Sequence, residues 1–245
     1  MASYVYCFTR AEHPLALDGL RGVGAEETVL RQVRHNGLAA VVSDAPEGLR
    51  PKRRDLVAHE TVLETLGAAG AVVPLRFGTV AADDDAVTAE LARGARRYAD
   101  LLTRLAGHVE RNVKGVHQED ALLADLLTGN PQLRAANEAL RVAGGGSDSE
   151  RVAFGEQVYL AVEQRRIRDT AYVVAALRPF AELDRHAPAV EGCFMNVSFL
   201  IPTDAQDDFD GAVAQLLTAM EGYGELRVSG ALPPYSFVDF AEARV

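Results

Sequence analysis

Apolar positions along the chain follow two rhythms, one of period two and one of period near 3.6. Ser3 to Thr9 sets Tyr4, Tyr6 and Phe8 on one face of an extended segment and Val5 and Cys7 on the other. Both faces are apolar, which predicts a strand buried on both sides. Thr28 to Val33 and Leu38 to Ser43 flank His35-Asn36-Gly37 and predict a hairpin, since Asn-Gly tolerates the positive φ of a tight turn. Arg53 to Ala69 changes to helical spacing, with Leu56, Leu63 and Leu66 repeating and His59 and Glu60 between them. Val72 to Phe77 reads as a short strand. Asp83 to Leu105 reads as one helix with acids in its first turn, where the helix dipole favours them. Strand, hairpin, helix, strand, helix describes an α+β domain over residues 1–106.

The pattern restarts beyond it. Glu110 to His117 predicts a strand, and Glu119 to Leu127 and Pro131 to Val142 predict two short helices parted by Gly129-Asn130. Gly144-Gly145-Gly146 is too short for a linker and reads as a loop. Ser147 and Glu150 stand at capping-box spacing, opening a helix that Pro179 should kink or stop before Leu183. Met195 to Ile201 predicts a strand, Ala205 to Met220 a helix and Glu225 to Ser229 a last strand. This succession fits a second domain over 107–245, a ferredoxin-like, mostly antiparallel sheet with a long helix and a tail.

With 48% apolar residues the chain has enough for a core in each domain. Its formal charge of -10 argues against a phosphate-backbone partner, and the basic run Arg50 to Arg54 reads as a solvated helix entry. No apolar run approaches the roughly 18 residues of a membrane helix, and Met-Ala-Ser-Tyr-Val-Tyr has no signal-peptide pattern, so a cytoplasmic protein with no membrane partner is expected. Cys7 and Cys193 lie in strand-like runs without CxxC spacing and read as buried thiols.

Catalytic and cofactor signatures are missing. The chain has no GxGxxG, no GxxxxGK[ST] and no GxSxG, and Thr61-Val62-Leu63 after His59-Glu60 breaks the HExxH zinc pattern. Asp83-Asp84-Asp85 lacks the alternation and central Gly of a calcium loop and reads as a charged helix start. Glu163 with Arg166 and Arg165 with Asp169 read as surface pairs on the long helix. Neither an enzyme, a cofactor, a metal nor a small-molecule substrate is expected.

Two segments remain, Val72-Val73-Pro74-Leu75-Arg76-Phe77-Gly78-Thr79-Val80 and Gly230-Ala231-Leu232-Pro233-Pro234-Tyr235-Ser236-Phe237-Val238. Their apolar residues around Pro and Gly suit a shaped surface or a domain seam better than an active site. Arg76, in an otherwise apolar strand, must be paired if buried: with Asp83 or Asp84, with an acid across the seam, or with a partner. Phe77 is either core or interface, Gly78 allows a positive φ, and Tyr235 is either a packed edge residue or an exposed anchor. Leu75, Arg76, Phe77, Gly78, Leu232, Pro233, Pro234, Tyr235 and Phe237 are therefore the candidates for partner binding or for the seam.

These segments resemble the two signatures of the gas vesicle GvpF/GvpL family, whose usual forms read LPLRFGT and GPWPPYSF. Tyr4-Val5-Tyr6, His59-Glu60 and Asn196-Val197-Ser198-Phe199-Leu200-Ile201 extend the resemblance over nearly the whole chain. Ala231 and Leu232 depart from it, standing where the family typically has Pro and Trp. The resemblance implies a two-domain α+β minor gas vesicle protein that supports nucleation or assembly, its partners the hydrophobic shell protein and other gas vesicle proteins. The alternative is a generic interaction module with no gas vesicle role.

Overall fold

The computed structural model describes residues 1–15, 17–24 and 28–238. The chain forms two compact units. The first takes Met1–Glu110, Leu200–Thr203 and the tail from Gly230, and the second Arg111–Phe199 and Asp204–Ser229. The expected boundary after residue 106 thus falls after Glu110, and the motif-bearing tail clusters with the first unit rather than the second. Backbone pairing of Leu232 with Glu110 draws it there.

In the first unit, strands β1 (Ser3–Arg10), β2 (Arg31–His35), β3 (Leu38–Asp44) and β4 (Val73–Pro74) lie in the order β2-β3-β1-β4, and β5 (Val80–Ala81) also pairs with β1. β2 begins at Arg31, three residues later than expected, and its turn to β3 places Asn36 and Gly37 at φ +42 and +78. β1 is buried on both faces, but its alternation breaks. The register against β3 slips between Val5 and Cys7, so Cys7 joins Tyr4 and Tyr6 in one cluster while Phe8 joins Val5 in the other. A bulge inserts one residue and reverses the parity of every side chain beyond it.

α1 (Arg53–Ala69) covers the tyrosine face with Val62, Leu63 and Leu66, and buries His59 and Asp55, while Leu56 turns to solvent. α2 (Asp84–Arg93) and α3 (Ala95–Leu105) cover the other face with Leu91, Tyr98, Leu102 and Leu105. The single helix expected over 83–105 is broken at Gly94, where an added Cβ would lie 2.2 Å from the Tyr98 ring. Asp83 caps α2, accepting from the Ala86 amide at 2.8 Å.

The second unit runs β6 (His108–His117), α4 (Glu119–Gly129), α5 (Pro131–Val142), α6 (Asp148–Leu177), β7 (Leu183–His186), β8 (Cys193–Pro202), α7 (Gln206–Ala219) and β9 (Gly224–Val228). Its sheet order, β7-β8-β6-β9, with two helical connections is the ferredoxin-like arrangement expected. The edge strand β7 escaped the apolar pattern because Leu183-Asp184-Arg185-His186 is mostly polar. α6 starts at the Ser147/Glu150 capping box and stops at Leu177, ahead of Pro179. Phe199 and Phe209 meet in this core with ring centroids 5.6 Å apart. Leu122, Leu126 and Leu133 form a separate small cluster packed on Phe154 and Val158.

Candidate partner-binding site

The first signature segment runs along β1 and leaves it in the middle. The Leu75 amide donates to Tyr6 O and the Val5 amide to Thr79 O, both at 2.9 Å, so the chain is pinned at both ends of a turn over 76–79. The Thr79 amide donates to Arg76 O at 3.1 Å, and Gly78, at φ +89, supplies a conformation that side chains resist. The strand expected over 72–77 is therefore cut to Val73–Pro74, and Arg76 points to solvent. It makes no ion pair among the described residues. Asp84, one expected partner, is held by Arg31 at 2.9 Å, and Asp83 is the α2 cap. Leu75 is buried, and Phe77 is half-buried with its ring edge-on to Tyr4 and His59.

The second segment is fastened at four points. Leu232 and Glu110 exchange backbone hydrogen bonds of 2.9 Å each way. Pro233 and Pro234, with no amide to pair, then carry the chain into a helical turn over Tyr235–Phe237. There Ser236 donates to the buried Glu110 carboxylate twice, from its amide at 2.8 Å and its hydroxyl at 2.6 Å. Phe237 is buried in the cluster of Val5, Phe8 and Leu105, and its carbonyl accepts from Arg104 Nη2 at 3.3 Å. Tyr235 is half-buried and supplies the fourth fastening, to His59.

His59 joins the two segments. Its Nε2 lies 3.1 Å from Leu75 O and 3.1 Å from the Tyr235 hydroxyl, and its Nδ1 lies 3.0 Å from the Tyr4 hydroxyl. A carbonyl can only accept, so Nε2 carries the proton and donates to Leu75 O. Nδ1 then accepts from Tyr4 O–H, and the same hydroxyl accepts from the Gly78 amide at 3.2 Å. Tyr6 stacks on the imidazole at 5.6 Å and Tyr4 meets it edge-on. Burial pushes the His59 pKa down to about 4, against the opposing pull of Leu75 O, so the ring is neutral near pH 7. The Tyr235 hydroxyl is held above its ordinary value, chiefly by burial.

Beside this latch lies an apolar groove of about 370 Å³. The end of α1 supplies Ala68 and Gly70, the chain entering β4 supplies Val72, Leu105 closes one side, and Leu232 with Pro234 forms the facing wall. Ala231, at the family's Pro position, also lines it. The structure thus gathers Leu75, Phe77, Gly78 and Tyr235 around His59, sets Leu232, Pro233 and Pro234 on the groove, buries Phe237 in the core and leaves Arg76 outside. The roles of Glu110 and of the Gly67-to-Ala71 run went unread in the sequence. Five consecutive small residues ending a helix were the available signal for the groove floor.

A second polar cluster lies within the other unit. Arg165 and Asp169, expected as a surface pair, are nearly buried, 2.8 Å apart, and Asp169 also meets His117 Nε2 at 2.9 Å. Burial lowers the His117 pKa, opposed by Asp169, and its ring stacks on Phe194 at 4.2 Å. Among the described residues no three His, Cys, Asp or Glu side chains are grouped to hold a metal ion, and no helix is long and apolar enough to cross a membrane.

Known proteins resemble this chain along its length. The family model for gas vesicle synthesis protein GvpL/GvpF matches residues 2–239. Gas vesicle protein F of Streptomyces sp. (strain CB03234) is 44% identical over 239 residues, spanning 98% of this chain and 100% of that protein. Gas vesicle protein F2 of Halobacterium salinarum is 29% identical, spanning 96% and 91% respectively. Crystal structures of GvpF from Anabaena sp. PCC7120 and from Microcystis aeruginosa show the same fold, with TM-scores of 0.83 and 0.77 at 23% and 24% identity, covering 97% and 96% of this chain and 98% of each of theirs. The chain belongs to the gas vesicle synthesis protein GvpL/GvpF family.

Proposed function

We propose that this gas vesicle protein supports vesicle nucleation or assembly in the cytoplasm by holding an apolar segment of the shell protein in the groove of the first unit, acting by contact and not by catalysis. A shell that encloses gas needs a water-repellent inner face, and subunits carrying such a face would aggregate if left unshielded. An acidic carrier with an apolar groove shields them while its own charge of -10 keeps the complex dispersed.

One observation carries this reading: Leu232 and Pro234 of the second signature segment form a wall of an apolar groove facing the end of α1. The latch through His59, Glu110 and the Leu232 backbone holds that wall rigid before a partner arrives, so little ordering entropy opposes binding. Leu75, Phe77, Gly78, Tyr235 and Phe237 serve as its support. Arg76, exposed on the turn, lies outside the groove.

Titration of a labelled soluble fragment of the shell protein tests the proposal. Ala68→Glu, on an exposed wall, and Leu232→Asp should each weaken binding at least about tenfold, or about 1.4 kcal/mol. Folded variants that bind as the parent does would remove the groove from the reading, and crosslinks would then locate the true surface.

A further inference from the structure

The acidic chain carries a concentrated basic face on one pair of helices. α3 and the end of α2 present Arg93, Arg96, Arg97 and Arg104 around a shallow groove with Leu101 at its floor and Asp100 as its sole acid. Arg93 is bound to the buried Glu90 carboxylate. Arg96 is almost wholly exposed and only 3.9 Å from Asp100 at its nearest approach, and Arg97 has no carboxylate within ion-pair reach among the described residues. With Arg93 matched by Glu90 and Arg96 beside Asp100, four arginines still outnumber two acids and reverse the sign of the chain as a whole, so a negative partner is what this face attracts.

A complementary surface exists on the same chain. In the second unit a groove of about 520 Å³ runs between the end of α6 and the start of α7. Tyr172, half-exposed, lines it with Ala175 and Ala176, Gly211 leaves α7 open to close approach, and Asp207 and Asp208 stand on its rim. Neither aspartate has an ion-pair partner among the described residues. Arginine suits such a groove: its guanidinium pairs with carboxylates while its stem and plane cover an aromatic ring.

We propose that the chain associates with a second copy of itself, the arginine face of α3 on one copy docking in the Asp207/Asp208 groove of the next. The two surfaces differ, so each pair leaves one of each kind unused, and association continues beyond the dimer. The contact is independent of the apolar groove and of the shell-protein reading.

Sedimentation of the full chain at about 50 mM and about 500 mM salt, where the Debye length falls from about 14 Å to about 4 Å, reads it directly. The expected result is a mean mass that climbs above 26.3 kDa with protein concentration at low salt and returns to it at high salt. Arg96→Glu with Arg97→Glu, or Asp207→Arg with Asp208→Arg, should each raise the concentration needed for association at least tenfold, and the chain carrying all four changes should recover it. All four side chains are exposed or half-exposed, so circular dichroism should report an unchanged fold. A monomer at low salt throughout the concentration range overturns the proposal, as does association that survives either pair of reversals or is not restored by combining them.

Discussion

Lowering the pH should loosen the first unit through His59. Its pKa is 6.5 when unfolded and about 4 when folded, because burial disfavours the imidazolium. Between those values the unfolded chain binds a proton that the folded chain refuses, so stability falls as pH falls. The contribution is fully present above pH 6.5, declines as the pH drops toward 4 and is constant below. At pH 5, 1.5 units below the unfolded value, the loss is 1.5 times about 1.4 kcal/mol, or about 2 kcal/mol. The geometry agrees with the sign: a second ring proton on Nδ1 would face the Tyr4 hydroxyl, which now donates to that nitrogen.

The assay is urea unfolding at pH 7.5 and pH 5, followed by far-ultraviolet circular dichroism, in the parent and in His59→Gln. Glutamine keeps a donor and an acceptor but does not titrate. His117, also lowered by burial, weakens both chains in the same direction, so the share of His59 is the difference between their declines. The parent should lose about 2 kcal/mol more than the variant over that interval. Equal declines, or a larger one in the variant, would refute the reasoning and mean that the pocket admits the charged ring, through water or movement of the Tyr235 turn.

Three further outcomes follow from the same geometry. Arg76→Ala should leave the unfolding midpoint nearly unchanged, within about 0.5 kcal/mol, because its side chain is exposed and unpaired; a loss several times larger would restore the buried ion pair expected from the sequence. Gly94→Ala should cost about 1 to 3 kcal/mol in thermal or urea unfolding, since the new methyl meets the buried Tyr98 ring and either the helices or the ring must shift. Tyr235→Phe should cost about 1 kcal/mol and quicken proteolysis of the tail, by removing a hydroxyl bonded to His59 without removing its ring.

Where one element supplies its own reasons, the sequence was a sufficient guide. α6 carries its start in a capping box and its end ahead of Pro179, and β6, β8, α7 and β9 of the ferredoxin-like unit show plain periodicity, so their succession specified the topology. The failures arise where one segment's conformation depends on another. The parity of β1 changes because β3 accepts an extra residue opposite it, which no pattern within Ser3–Arg10 records. Arg76 looked buried because a run of apolar neighbours implies a strand, but Gly78 turns the chain out at that point. The tail was assigned to the second unit by proximity in sequence, whereas its backbone partner Glu110 lies more than a hundred residues upstream.

The candidate site follows the same division. The signature residues were legible as a set, yet their labour is unequal once folded. Pro74, Gly78 and the Tyr235 turn shape the backbone, and His59 ties the two segments by bonds that cannot be read from either alone. Val72, Ala231, Leu232, Pro233 and Pro234 remain to face the groove. A residue that shapes the groove affects binding through the fold, and its replacement should lower stability and affinity together. If the groove holds the partner as proposed, a residue that faces it affects affinity alone, so Leu232→Trp should preserve the fold while changing how the groove fills. That separation of stability from affinity distinguishes a binding surface from a structural seam, and it gives the departure from the family pattern at Leu232 a physical meaning: a smaller side chain at the wall leaves more of the groove open to its occupant.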